Sequence, residues 1–200
     1  MRNIFLATLL GLGISWGAAA DTIPLADISA YLNGLRTVQS DFTQVNSDGS
    51  ISTGTFYMHR PGRARFEYAG GEDALLVIAG GGQVAIFDAR SNSPPEQYPL
   101  RRTPLHLILQ RNVDLAASNM VVGHEGDETS TRIVAQDPDQ PEIGQITLVF
   151  TGNPIELRQW IITDDLGGQT TVILGDLQEG MQIPSRSFNI PQEIQARGLN

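Results

Sequence analysis

The stretch Asp41–Tyr68 constrains the fold of this chain most strongly, because its side chains alternate between the two sides of an extended backbone. Phe56 and Met58 face one way, and their neighbours face the other, which is the pattern of a strand with one buried face. Arg60-Pro61-Gly62-Arg63 separates two such runs as a turn. The stretch therefore predicts paired strands with an apolar inner face, and it carries no catalytic signature.

The same period of two recurs toward the C-terminus. Ile146, Leu148 and Phe150 share one predicted face, and Trp160 is expected on the face opposite Leu157. Turns rich in Asn, Asp, Gly and Pro separate the runs. About ten strands in one antiparallel sheet should curl into a barrel or half-barrel. The predicted fold class is mainly β with short helices (α+β).

Two helices are predicted. The first follows Pro24, and its apolar residues at helical spacing are Leu25, Ile28, Tyr31 or Leu32, Leu35 and Val38. The second spans 103–112, with Thr103 as N-cap and Pro104 at the first helical position. Its apolar stripe is formed by Leu105, Ile108 and Leu109. This helix either plugs the barrel as a core element or forms a lid over an apolar cavity.

The N-terminus is typical of a cleavable export signal. Arg2 precedes an apolar run from Ile4 to Trp16, and Ala18-Ala19-Ala20 offers a cleavage site before Asp21. The run is shorter than the ~20 residues that a membrane span needs. We expect residues 1–20 to be a signal peptide, residues 21–200 to be a single domain, and the exported, mature protein to be soluble.

Composition excludes several classes of function. The chain has no cysteine, which rules out thiol catalysis and thiolate metal sites. Its formal net charge is −9, and losing Arg2 leaves 12 basic and 22 acidic residues, a net charge of −10. Nucleic acid is therefore not an expected partner, and neither is an anionic membrane surface.

Candidate sites for chemistry are weak. Gly13-Ile14-Ser15-Trp16-Gly17 matches a serine-hydrolase motif but lies in the predicted signal peptide. Gly80-Gly81-Gly82 leads into a strand, so we expect a hairpin and not a phosphate loop. The histidines His59, His106 and His124 lack metal-ligand spacing. We expect no cofactor, no metal and no enzymatic activity.

Two clusters of charged residues leave alternatives open. Asp137, Asp139, Asp164 and Asp165 occupy turn contexts, although a carboxylate pair would suit an exported hydrolase. The cluster of Arg60, Arg63 and Arg65 either serves a function or protects a strand edge from aggregation.

Several short motifs, in order, resemble the periplasmic outer-membrane lipoprotein carrier family (LolA). After the signal and the first helix come Asp41-Phe42-Thr43-Gln44, Gly54-Thr55-Phe56-Tyr57-Met58, Arg60-Pro61-Gly62-Arg63-x-Arg65-Phe66-x-Tyr68, Thr103-Pro104-Leu105 with Leu107-Ile108, Asp165-x-Gly167 and Phe188-x-Ile190-Pro191. The resemblance covers essentially the whole mature chain.

The resemblance implies an unclosed antiparallel β-barrel, or half-barrel, with a helical lid over an apolar cavity. It implies a monomeric carrier that takes lipoprotein acyl chains from an inner-membrane ABC lipoprotein-releasing complex to an outer-membrane lipoprotein receptor. Arg60 would be the lid latch. Phe56, Met58, Phe66, Leu105, Ile108 and Leu109 would line the lipid-binding cavity.

Two positions depart from the family pattern. Ala85 stands where an aromatic residue is frequent, and Phe66 replaces a bulkier Trp. We expect both to reshape the cavity and change cargo preference. Related folds bind other lipids or sense envelope stress, so a lipid carrier or stress sensor is the alternative function.

Overall fold

A computed structural model describes residues 22–71, 74–91 and 93–199, which form one antiparallel sheet of twelve strands. The predicted signal peptide lies outside the described residues. The strands are β1 (Thr37–Val45), β2 (Ile51–His59), β3 (Ala64–Tyr68), β4 (Leu75–Gly80), β5 (Gln83–Asp88), β6 (Glu96–Pro99), β7 (Val121–Gly126), β8 (Thr131–Gln136), β9 (Gln145–Thr151), β10 (Glu156–Thr163), β11 (Gln169–Leu174) and β12 (Gln178–Glu179).

The strands follow the order β6-β5-β4-β3-β2-β1-β11-β10-β9-β8-β7, and β12 pairs with the start of β1. The two outer strands, β6 and β7, do not pair with each other, so the sheet stays unclosed. This confirms the predicted half-barrel. Strand β1 lies in the middle and joins the halves of the sheet, pairing with β2 along all of Thr37–Val45 and with β11 on its other side.

The described residues form three short α-helices: α1 (Leu25–Gly34), α2 (His106–Leu109) and α3 (Ile190–Ala196). Helix α1 begins after Pro24, as predicted, but ends earlier than the apolar spacing suggested. Leu35 adopts an extended backbone with ψ 106°, and Val38 already belongs to β1. Leu35 and Val38 are both buried. The helical spacing of apolar residues therefore continued by chance from α1 into β1. No helix among the described residues is long and apolar enough to cross a membrane.

The inner face of the sheet packs against α1 and the segment 100–120, which we call the covering segment. Ile28 and Leu32 of α1 join one buried cluster with Ile146, Leu148 and Phe150 of β9. These three residues of β9 share one face, as predicted. The main core of the protein therefore lies between the concave side of the sheet and these two covering elements.

The outer face of β3, β4 and β5 is covered by the C-terminal segment. Leu76, Ile78, Ala85, Phe87 and Ile190 form a second buried cluster there. Ala85 thus faces away from the inner core, and the expectation that it reshapes a cavity was wrong. Because both faces of β5 are buried, apolar and polar residues do not alternate along it. The sequence therefore did not reveal which side chains of β5 face inward.

A β-bulge changes the faces of β10. The pairing of β10 with β9 shifts register between Leu157 and Gln159. The extra residue turns Leu157 to the same side as Trp160, and both are buried in the inner cluster. The prediction that they lie on opposite faces was therefore wrong.

The predicted glycine hairpin is confirmed. Strands β4 and β5 are joined by Gly81 and Gly82, both with positive φ, at 60° and 79°. This is the backbone of a two-residue turn that glycine adopts without steric cost.

Gly54 should tolerate no side chain. A Cβ built there would lie 2.1 Å from Glu67 O and 2.8 Å from a ring carbon of Phe42. We expect Gly54→Ala to lower the free energy of unfolding by about 1–3 kcal/mol, because the strand pairing must shift to admit the methyl group. Urea unfolding measures the change.

Gly34→Ala is the matched control, because a Cβ at Gly34 meets nothing within 4 Å. It should be neutral or slightly stabilising. An unfolding midpoint for Gly54→Ala equal to that of Gly34→Ala would contradict the packing described here.

Candidate functional site: the Arg60 contact with the covering segment

Arg60 directly follows β2 and joins three parts of the molecule. Its backbone N–H donates to Arg36 O at 2.9 Å, between α1 and β1. Its Nη2 donates to Gln110 O at 2.6 Å and to Asn33 Oδ1 at 3.3 Å. The side chain is 7% exposed. One guanidinium nitrogen therefore ties the sheet to both the covering segment and α1.

The electrostatics of this contact are unusual for a buried cation. Both acceptors of Nη2 are neutral oxygens, and Arg60 takes part in none of the ion pairs found among the described residues. Its Nε and Nη1 are buried without a hydrogen-bond partner in the described part of the chain. Burial, and then the neighbouring Arg36, lower the pKa of Arg60.

Two opposing effects set the strength of the Arg60–Gln110 bond. A hydrogen bond from a charged donor contributes about 1.5–3 kcal/mol, whereas burying an uncompensated charge costs several kcal/mol. The two effects oppose each other. The Arg60–Gln110 bond is therefore strong enough to define one conformation, but the buried charge also favours its release into water.

The covering segment contains less helix than the sequence predicted. Residues Leu100–Arg102 form a 3-10 turn, and α2 spans only His106–Leu109, with Leu105 and not Thr103 before it. The Thr103 hydroxyl donates to Leu100 O instead of capping the helix. The helix stops early because its last carbonyls are used elsewhere: Leu109 O accepts from Gly62 N at 2.8 Å, and Gln110 O accepts from Arg60.

Asn33 and Ser29 of α1 hold the other half of the covering segment. Asn33 pairs with Val113 in both directions, donating to Val113 O at 2.8 Å and accepting from Val113 N at 2.9 Å. Ser29 Oγ accepts from Leu115 N at 3.0 Å. The sequence analysis missed both residues. Their only signal was polarity on a helix whose other face is apolar, which is also normal for any surface helix.

The six apolar residues predicted for a cavity lie together in the inner cluster. Phe56, Met58 and Phe66 come from the sheet, and Leu105, Ile108 and Leu109 come from the covering segment; each is at most 8% exposed. Within this cluster the Phe56 ring lies 4.8 Å from the Phe66 ring and 5.4 Å from the Trp160 ring. The interior is packed in this conformation, so an apolar ligand could reach these side chains only after the covering segment moved.

The other two arginines of the predicted basic cluster do not protect a strand edge, because β3 lies inside the sheet. Arg63 Nε donates to His59 O. Arg65 is held on the outer face by ion pairs with Glu67 and Glu193, at 2.6 and 3.1 Å. Arg60 therefore differs from Arg63 and Arg65 in its surroundings and in its bonding partners.

Several of the remaining candidates make contacts within turns or with neighbouring backbone. Asp137 Oδ1 accepts from Asp139 N, and Asp164 Oδ1 accepts from the backbone of its own turn. These bonds are typical of aspartates that stabilise turns. His124 Nε2 lies 3.0 Å from Ile23 O. The described residues contain no group of three or more potential ligands that could hold a metal ion.

Comparisons with known proteins identify a family and several relatives of this chain. Residues 33–191 match the family model described as outer membrane lipoprotein carrier protein LolA. An outer-membrane lipoprotein carrier protein of Methylococcus capsulatus is 28% identical over 88% of each chain. The carrier of the same description from Chromobacterium violaceum is 23% identical over 94% of this chain and 93% of its own. The crystal structure of a LolA superfamily protein from Nitrosomonas europaea aligns with a TM-score of 0.44 at 10% identity, covering 84% of this chain and 98% of that one.

We expect Asn33→Ala to loosen the covering segment. The change leaves the N–H and C=O of the buried residue Val113 without partners, which costs about 1–3 kcal/mol. An environment-sensitive apolar dye should therefore bind the variant faster than the unaltered protein. Stopped-flow fluorescence measures the rate, and urea unfolding measures the loss of stability.

Two further variants make this test specific. Asn33→Asp keeps the acceptor for Val113 N and offers Arg60 a carboxylate, so it should return dye binding toward the original rate. Asn112→Ala is the control, because Asn112 is an exposed residue of the same segment. If Asn33→Ala behaves like Asn112→Ala, then the bonds of Asn33 do not restrain the segment. If native protein binds no dye in a saturable way, the segment is a fixed plug.

Proposed function

Since the chain belongs to the LolA family of outer-membrane lipoprotein carrier proteins, we propose that it carries lipoproteins across the periplasm. The acyl chains of the cargo would occupy the inner face of the half-barrel. The observation that supports this proposal is the Arg60–Gln110 bond, which holds the covering segment over a strongly apolar interior. We propose that this bond opens to admit cargo. The protein would act as a carrier and not as an enzyme.

The physical need for such a carrier is large. Exposing a fatty chain to water costs about 0.8 kcal/mol per CH₂ group, so a released lipoprotein does not cross an aqueous compartment unaided. The inner cluster offers aromatic and aliphatic side chains from both the sheet and the covering segment. Acyl chains that entered between these side chains would replace apolar contacts within the protein by apolar contacts with the cargo.

The proposed opening divides the covering segment at Gln110–Val113. On one side, α2 is held by Arg60 and Gly62 at the end of β2. On the other side, Val113 and Leu115 are held by the side chains of α1. We propose that α2 lifts away while the α1 contacts stay in place, so that Arg111 and Asn112, both exposed, act as the hinge.

This arrangement suggests the role of each residue in the proposed site. Arg60 would be the latch, and Phe56, Met58, Phe66, Leu105, Ile108 and Leu109 would contact the acyl chains after opening. An inner-membrane ABC lipoprotein-releasing complex would load the carrier, and an outer-membrane lipoprotein receptor would unload it. Residues 1–20 would direct export and be removed.

The direct test incubates mature protein with inner-membrane vesicles that contain the ABC complex and a tagged lipoprotein. We expect ATP-dependent appearance of a soluble one-to-one complex, measured by size exclusion with detection of the tag. Mass spectrometry of the bound ligand separates a lipoprotein from another lipid. Failure to release the lipoprotein, while a free lipid copurifies, would replace the lipoprotein by that lipid as cargo.

The second test concerns Arg60. Arg60→Leu should keep the fold and the uptake of lipoprotein but slow transfer to the purified receptor, because loss of the Gln110 bond makes the open, loaded state relatively more stable. Arg60→Lys should be partly defective, since an ammonium group lacks the planar donors of a guanidinium. Transfer from loaded carrier to receptor is the measurement. Equal transfer by Arg60→Leu and the unaltered protein would show that the bond has no role in delivery.

A further inference from the structure

Exposed arginines gather at the end of the sheet where Arg60 meets the covering segment. The whole chain has 22 acidic and 13 basic residues, so a positive region is not expected from composition. The lid-end arginine surface, as we call it, consists of Arg36, Arg63, Arg101, Arg102 and Arg111. Arg36, Arg101, Arg102 and Arg111 are exposed, and Arg63 is half-buried.

Backbone contacts bring these residues to one place. Arg36 O accepts from Arg60 N, and Arg111 directly follows Gln110, which accepts from Arg60 Nη2. Arg101 and Arg102 follow Leu100, whose N–H donates to Gly82 O in the β4–β5 turn.

Arg63 completes the surface. It lies in the turn after β2 and lines a shallow depression together with Gly80 and Gly81 of the β4–β5 turn. Residues that are far apart in sequence thus lie around the Arg60–Gln110 bond, which is one of the contacts that hold the covering segment.

The surface has no ion-pair partners of its own among the described residues. Arg65, Arg90, Arg158 and Arg197 each form an ion pair, whereas none of the five arginines of the surface does. Two carboxylates lie near these arginines, one through its position in the sequence and one through strand pairing. Asp114 accepts from Ala117 N within the covering segment, and Glu179 lies opposite Val38 in β12. These two do not balance five guanidinium groups.

We propose that the lid-end arginine surface docks a carboxylate-rich surface of a partner protein. Guanidinium groups match carboxylates with two parallel hydrogen bonds, and complementary charge guides a partner to one face of a molecule that otherwise repels acidic surfaces. This inference goes beyond the carrier function, because it makes no assumption about the cargo.

An anionic bilayer fits the surface less well. Peripheral membrane binding combines basic residues with exposed apolar side chains that enter the bilayer. Leu105, Leu107, Ile108 and Leu109 of the covering segment are all buried, and the net charge of the whole chain is −9. The overall negative charge opposes approach to anionic lipids, whereas a protein can present carboxylates to this one end alone.

The position of the surface gives docking a structural consequence. Arg101 and Arg102 precede α2, and Arg111 follows it, so a partner bound here contacts the covering segment on both sides of its helix. Such a partner would sit beside the Arg60–Gln110 bond and could favour either its closure or its release.

The test measures binding of the mature protein to an immobilised glutamate-rich peptide by surface plasmon resonance. We expect saturable binding at low salt that weakens as salt rises, because the Debye length falls from ~30 Å at 0.01 M to ~8 Å at 0.15 M ionic strength. Arg101→Ala with Arg102→Ala should weaken binding by about 4- to 25-fold, from a two- to fivefold loss per exposed ion pair.

The matched control is Arg90→Ala with Arg132→Ala, which removes the same charge from two exposed arginines outside the surface, the first of them beyond the opposite end of β5. It should change the affinity for the peptide by less than about twofold. Thermal unfolding checks that both double variants are folded. Equal losses in the two double variants, or no saturable binding to the peptide, would overturn the proposal. Binding to vesicles that contain phosphatidylglycerol, without binding to the peptide, would assign the surface to lipid instead.

Discussion

The architecture depends on a buried cation that has only neutral oxygens to bond. Arg60 sits where β2, α1 and the covering segment meet, and its Nη2 serves acceptors on two of them. A carboxylate at this point would form a buried ion pair with Arg60, and removing one partner of such a pair costs about 3–5 kcal/mol. Two neutral acceptors bind the guanidinium more weakly, and two of its nitrogens remain without partners. The contact holds the covering segment over the apolar interior, and its weakness relative to an ion pair supports the latch role proposed for Arg60.

The two faces of the sheet are covered in different ways. On the outer face, the C-terminal segment is fastened to β3 by the ion pair between Glu193 and Arg65, and it packs Ile190 onto Ala85 and Phe87. The backbone of Phe188 also comes so close to Gly80 that a side chain there would clash. The covering segment of the inner face has no ion pair to the sheet among the described residues. This difference supports the proposal that the covering segment, next to the apolar residues of the inner face, is the part that opens.

Much of the fold could be predicted because alternation is local. Phe56 and Met58 of β2, and Ile146, Leu148 and Phe150 of β9, revealed their buried face through neighbours two positions away. The prediction was wrong where a contact from elsewhere overrode this pattern. A bulge moved Leu157, the C-terminal segment buried the outer side of Ala85, and bonds from Arg60 and Gly62 ended α2 early. None of these events has a signal within a few residues of the position that it changes.

The sequence by itself determined the β class of the fold, the inward residues of strands with unbroken alternation such as β2 and β9, the glycine turn between β4 and β5, and the family to which the chain belongs. It singled out Arg60 through that family alone. Only the tertiary structure decided what Arg60 bonds, since Asn33 and Gln110 lie 27 and 50 positions away from it. It also decided that Asn33 restrains Val113, across 80 positions. Alternation is set by the geometry of a single strand, whereas these bonds exist only once the sheet has curved and brought distant segments to the same end.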